Sequence, residues 1–78
     1  MKNLEQERIA KEFGTLIREA RKCKGLTQEE VAQKVGISRG YYALVEEGRR
    51  DVYFTTAAII YEALDLNLNI NDFAKRMR

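Results

Sequence analysis

Apolar positions along the chain recur at helical spacing in several short blocks. Ile9, Phe13, Leu16, Ile17, Ala20 and Cys23 recur at spacings of three and four, with Leu16 and Ile17 adjacent, which places them on one face of a helix from about Leu4 to Lys24. Gly14 falls inside this block and costs about 1 kcal/mol relative to alanine. It marks either a close approach by another helix or a break between an N-terminal extension, residues 1–12, and the body of the domain. Thr27 followed by Glu30 has capping-box spacing and opens a second helix over Gln28–Val35, with Val31, Ala32 and Val35 inward. Such a cap contributes about 1 kcal/mol. Gly36 stops that helix, Ile37 is expected to be buried in the turn, and Ser38 caps a third helix over Arg39–Glu47. Tyr42 and Val45 are its inward residues. At about 100° per residue, the opposite face carries Gly40, Ala43, Leu44 and Glu47, with Arg39 and Tyr41 on the flanks.

A fourth helix spans about Thr55 to Leu64, with Thr55 as candidate cap and Phe54, Ala57, Ile60, Tyr61 and Leu64 supplying core. Gly25, Gly36 and Gly48 each follow an apolar block, where a left-handed residue closes a helix. The tail admits two readings. From Leu64 to Asn71 apolar and polar residues alternate, the period of a strand. Ile70, Phe73 and Met77 instead keep helical spacing, with Asn67 or Asn69 as cap of a short fifth helix. With the helical blocks dominant, the fold class is all-α.

Seventy-eight residues make a single domain with one modest core and a small stability margin. Cys23 is the only cysteine and there is no histidine, so no internal disulfide forms and no zinc or iron–sulfur ligand set exists. Cys23 itself is read as a small, half-buried helix residue in a reducing compartment. No apolar run approaches a membrane span, and Met1 to Glu5 lack a signal-peptide core, so the cytoplasm is the expected location. The net charge of +2 says little, but its distribution says more. Residues 13–50 carry eight basic and five acidic groups, whereas residues 51–78 carry three basic and four acidic. The positive excess therefore surrounds the second and third helices.

These blocks together resemble a helix-turn-helix domain of the lambda-repressor/Cro (Xre) type. The resemblance rests on Ile17-Arg18-Glu19-Ala20-Arg21, Lys24-Gly25-Leu26-Thr27-Gln28-Glu29-Glu30-Val31-Ala32, Val35-Gly36-Ile37-Ser38 and Glu46-Glu47-Gly48-Arg49-Arg50, and extends from Phe13 to about Leu68. It implies a compact bundle of about five helices, with the helix-turn-helix at residues 27–47, and a double-stranded DNA partner bound by a dimeric regulator, more often repressor than activator. A restriction–modification controller or an antitoxin falls within the same class. A protein-interaction module that keeps the fold without tight DNA binding is the alternative from another class.

The resemblance also implies roles for individual residues. Thr27 and Gln28 begin the second helix, where free amides and the helix dipole suit phosphate. The glutamine position touches the DNA backbone and braces the recognition helix; the plain alternative is a solvated first-turn residue. The third helix lies in the major groove with its N-terminal end nearest the bases. Arg39 is the candidate for a bidentate guanine contact, with a phosphate contact as the alternative. Ser38 caps and also reaches phosphate or base. Gly40 allows close backbone approach, Tyr41 reaches phosphate or the groove wall, and Leu44 meets a thymine methyl. Arg49 and Arg50 are phosphate candidates or solvated loop charges, and Arg18 and Lys22 are either further phosphate contacts or ordinary exposed charges. Arg21 and Glu46 match positions that form a structural ion pair. The family's frequent proline after the loop is replaced here by Asp51-Val52-Tyr53.

The outer face of the third helix is small, apolar and, at Glu47, acidic, so polar base readout is sparse and DNA shape takes a larger share. One copy covers little DNA, and dimers reading half-sites of an inverted repeat about 34 Å apart are the usual solution. The apolar surplus at Leu66, Leu68, Ile70, Phe73 and Met77 makes the tail the expected homodimer interface, with the extension of the first helix as second candidate. No catalytic residues, cofactor, metal or small-molecule ligand is expected. There is no histidine, no glycine-rich phosphate loop joined to a strand, and no room for a separate sensing domain.

Overall fold

A computed structural model describes residues 4–66, which form four helices: α1 Leu4–Cys23, α2 Gln28–Val35, α3 Arg39–Glu46 and α4 Phe54–Ala63. The fifth element expected from the tail, and with it Leu68, Ile70, Phe73 and Met77, lies outside the described residues. Ile17, Val31, Ala32, Tyr42, Val45, Ile60 and Leu64 make the buried core, one or two from each helix. Around them α3 packs on α1 and α2, and α2 packs on α4.

Local chemistry sets the helix ends. The Thr27 hydroxyl accepts from the Glu30 amide at 3.0 Å, and the Glu30 carboxylate accepts from the Thr27 amide at 2.8 Å, so the capping box is complete. Those bonds to Thr27 hold the Glu30 carboxyl below its ordinary value. Ser38 accepts from the Tyr41 amide at 3.1 Å and starts α3. Between them the chain reverses over Gly36-Ile37-Ser38. Gly36 sits at φ +86° while its amide still bonds the Ala32 carbonyl, and Ile37 packs half-buried against the core. A side chain at Gly36 would be strained in this left-handed conformation, so the turn depends on it. At the end of α4 the left-handed position falls to Asp65, at φ 54°, whose carboxylate bonds the Lys24 ammonium at 2.6 Å. That pairing holds the Asp65 carboxyl below its ordinary value.

Gly14 is not a break. It is buried inside a continuous α1, where an added Cβ would stand 2.5 Å from the Val45 carbonyl oxygen and overlap that of Glu46. Two turns along the same face, Arg21 reaches Glu46. One turn back, the backbone of Lys11 leaves no room for a Cβ at Gly48. Residues 11, 14 and 21 thus clamp the end of α3 against α1.

Four details differ from the sequence reading. Cys23 is exposed, because the buried stripe of α1 centres on Gly14, Ile17 and Arg21, and Cys23 stands about 120° from Ile17. Ile9 is 46% exposed and Phe54 71% exposed; both border an apolar groove of about 390 Å³ between α1 and α4. The groove floor holds Phe13 and Tyr61, whose rings stack with centroids 5.6 Å apart. Thr55 is not the cap of α4: the helix starts at Phe54 after Tyr53, with no side-chain cap. The third helix closes at Glu46, and Glu47 is its cap residue.

Candidate nucleic-acid interface

The polar centre of the molecule is a brace joining three helices. Arg21 on α1 donates from Nε to Glu46 Oε2 at 2.6 Å and from Nη2 to Oε1 at 3.1 Å, a two-point contact with the last turn of α3. Its remaining nitrogen, Nη1, donates to the Leu26 carbonyl at 2.9 Å, so the same side chain also fixes the entry to α2. Gln28, the first residue of α2, donates its amide to Glu46 Oε1 at 3.0 Å. The Glu46 side chain is 1% exposed and that of Arg21 12%. Burial pushes the Glu46 carboxyl up, but Arg21, the adjoining Tyr42 hydroxyl and Gln28 outweigh it and hold the carboxyl below its ordinary value. The hydrogen bond to Glu46 raises Arg21 further above its already high value. Tyr42 stands beside the pair, its ring fully buried, its hydroxyl without a hydrogen bond of normal geometry among the described residues. Burial first, and close contact with the Glu46 carboxylate second, push that phenol above its ordinary range.

The brace faces inward and sets the angle at which α3 presents its other side. Ser38, Arg39 and Gly40 at its start are exposed, while Tyr41, Ala43 and Leu44 are half-buried. Arg49 and Arg50 are exposed in the following loop. That loop is brought alongside α3 by a hydrogen bond from the Tyr41 hydroxyl to the Asp51 carbonyl at 3.1 Å. Arg39, Arg49 and Arg50 form no ion pair among the described residues, so three cations stand on or next to one helix. At the start of α2 the capping box uses the Thr27 and Glu30 amides, and those of Gln28 and Glu29 have no hydrogen-bond acceptor among the described residues. Arg18 and Lys22 are exposed on α1, but no bond ties them to the α3 surface. Leu66 sits half-buried against this chain's own core, its amide bonded to the Tyr61 carbonyl at 2.8 Å.

Three contacts of this region have no signal in the sequence pattern. The Tyr41–Asp51 bond joins residues ten apart across an irregular loop, and Lys24–Asp65 joins residues 41 apart. Gln28 was expected to touch the DNA backbone and to brace the third helix; its bond to Glu46 ties it to the end of that helix through a partner the sequence pattern does not name.

The family profile described as helix-turn-helix matches residues 17–71, well over half of the chain. The chain belongs to the helix-turn-helix family of the Cro/repressor (Xre) type. An HTH-type transcriptional regulator of Methanothermobacter thermautotrophicus is 48% identical over 50 residues, covering 64% of this chain and 72% of that protein. The HTH-type regulator YazB of Bacillus subtilis is 41% identical over 63 residues, covering 80% and 87%. Among solved structures, the restriction-modification controller protein C.AhdI from Aeromonas hydrophila matches with a TM-score of 0.73 and 37% identity, over 77% of this chain and 91% of that one. This helix-turn-helix chain is therefore of the DNA-binding regulator type, a family that is not an enzyme class. No helix among its described residues is long and apolar enough to cross a membrane.

Proposed function

We propose that this helix-turn-helix chain is a sequence-specific double-stranded DNA-binding regulator that inserts α3 into the major groove. The observation that carries the reading is the brace: Glu46 at the inner end of α3 is held by Arg21 and Gln28, so α3 turns Arg39 outward with Arg49 and Arg50 beside it. Arg39 is the candidate base reader, and Gly40 and Leu44 permit close apolar approach. Thr27, Gln28, Ser38, Arg49 and Arg50 supply phosphate contacts, with Arg18 and Lys22 further out. Because the Gln28 side-chain amide is engaged by Glu46, the phosphate contact at that position falls to its backbone amide. The likeness to the restriction-modification controller protein C.AhdI and to the ImmF control region 10 kDa protein of Bacillus phage phi105, 38% identical over 60 residues, supports a small controller protein, and on this reading it acts as a repressor rather than an activator.

The functional unit on this reading is a homodimer on an inverted repeat. The tail residues Leu66, Leu68, Ile70, Phe73 and Met77 are one candidate interface. The groove bordered by exposed Ile9 and Phe54 is the other, on the α1 extension. Sedimentation at increasing concentration is expected to show the mass doubling; a monomer mass at all concentrations contradicts the dimer. Arg39→Ala is expected to relax preference at one base position at a cost of about 1–3 kcal/mol, measured by competition binding. Arg49→Ala is expected to weaken all sequences alike and to reduce the slope of log affinity against log salt by about one.

A protein-interaction module is the second reading, favoured by the sparse polar readout on α3 and by exposed Glu47 at its end. Retention of duplex binding that falls steeply with salt supports the regulator; no duplex binding by the chain supports the module.

A further inference from the structure

The loop that carries Arg49 and Arg50 contains no proline to stiffen it, and a flexible loop loses entropy when its charges are fixed on a ligand. Two pins hold it here. At its start, Gly48 at φ +73° lies against the backbone of Lys11, with its amide on the Val45 carbonyl and that of Arg49 on the Leu44 carbonyl. At its end, the Tyr41 hydroxyl holds the Asp51 carbonyl. Both arginines lie in the short span between the pins. Tyr41 is rooted in α3 and packs half-buried against the core, so it is a rigid support rather than a swinging side chain.

We propose that Tyr41 is a positioning residue: its hydroxyl bond to Asp51 presets the Arg49–Arg50 loop against α3 for anionic backbone contact. This rests on the DNA-binding reading for its function but not for its structural half. It also reassigns Tyr41, because a hydroxyl donating to Asp51 is not available to donate to a phosphate. The bond does work before any ligand arrives, by removing loop conformations that present the two arginines out of register with α3.

Tyr41→Phe tests it, since the ring and its packing remain. Amide hydrogen exchange on the free chain is expected to speed up about 3–10-fold at residues 49–52, the scale of one net hydrogen bond, while α1 and α2 amides keep their rates. Unchanged exchange at 49–52 overturns the proposal. Duplex binding supplies the second readout. In a double-mutant cycle, Arg49→Ala is expected to cost less in the Tyr41→Phe background than alone, with base preference unaltered. Strict additivity, the result of two independent phosphate contacts, also overturns it. Absence of duplex binding by the unaltered chain sinks the DNA reading and the functional half of the proposal, and is distinguishable because the exchange result stands apart from it.

Discussion

Arg21→Ala is expected to lower the melting temperature by roughly 15–30 °C. Removing one partner of a buried ion pair costs about 3–5 kcal/mol, because the surviving charge stays buried without compensation. In a domain of this size each kcal/mol moves the midpoint by about 4–8 °C. The substitution strands Glu46, whose side chain is 1% exposed, and also frees the Leu26 carbonyl. Only the neutral Gln28 amide and Tyr42 hydroxyl then face the carboxylate. A total stability of about 5–15 kcal/mol leaves little reserve for such a loss. Any fall in DNA affinity on this substitution follows from unfolding or a tilted α3, not from a lost contact to DNA. A melting temperature within a few degrees of the parent contradicts the role given to the brace.

The same pair has a pH signature. The Glu46 carboxyl lies below its ordinary value in the folded chain. Its contribution is therefore fully present above the unfolded value of about 4.3 and is lost as pH falls through the lower folded value. Melting followed through that acid window should steepen in the parent chain. Glu46→Gln, already destabilised because Arg21 is left unpaired, should lack this component of the slope.

Gly14→Ala is expected to destabilise the chain by about 1–3 kcal/mol, although helix propensity alone predicts a gain of about 1 kcal/mol. The sign is reversed by what surrounds the position. A Cβ there meets the carbonyl oxygens of Val45 and Glu46, which are main-chain atoms and cannot swing aside. Relief requires α1 to move off α3, which lengthens the Arg21–Glu46 contact two turns away. Chemical denaturation with an unchanged slope and a lower midpoint is the expected observation. A midpoint equal to or above the parent's would show that α1 and α3 do not approach as closely as described.

Features set by neighbouring residues were legible in the sequence. The Thr27–Glu30 capping box, Ser38 as cap and the left-handed glycines at 25, 36 and 48 all depend on a few adjacent positions, and they appear where spacing places them. Gly14 was ambiguous because a helical glycine has the same sequence signal whether it marks a break or a contact; only the carbonyls of Val45 and Glu46 decide. The Arg21–Glu46 pair spans 25 residues and reached the sequence reading through family resemblance alone. Phe54 and Ile9 were misplaced because periodicity gives the direction of a side chain but not whether a neighbour covers it. The Tyr41–Asp51 bond ends on a backbone carbonyl, which no residue type announces.

Selection of bound sequences from random duplex DNA, followed by salt titration on the selected duplex, tests the central claim most directly. The account predicts an inverted repeat with half-sites about one helical turn apart, bound with an affinity that falls steeply as salt rises. Recovery of no enriched sequence, together with no measurable binding at low salt, contradicts it.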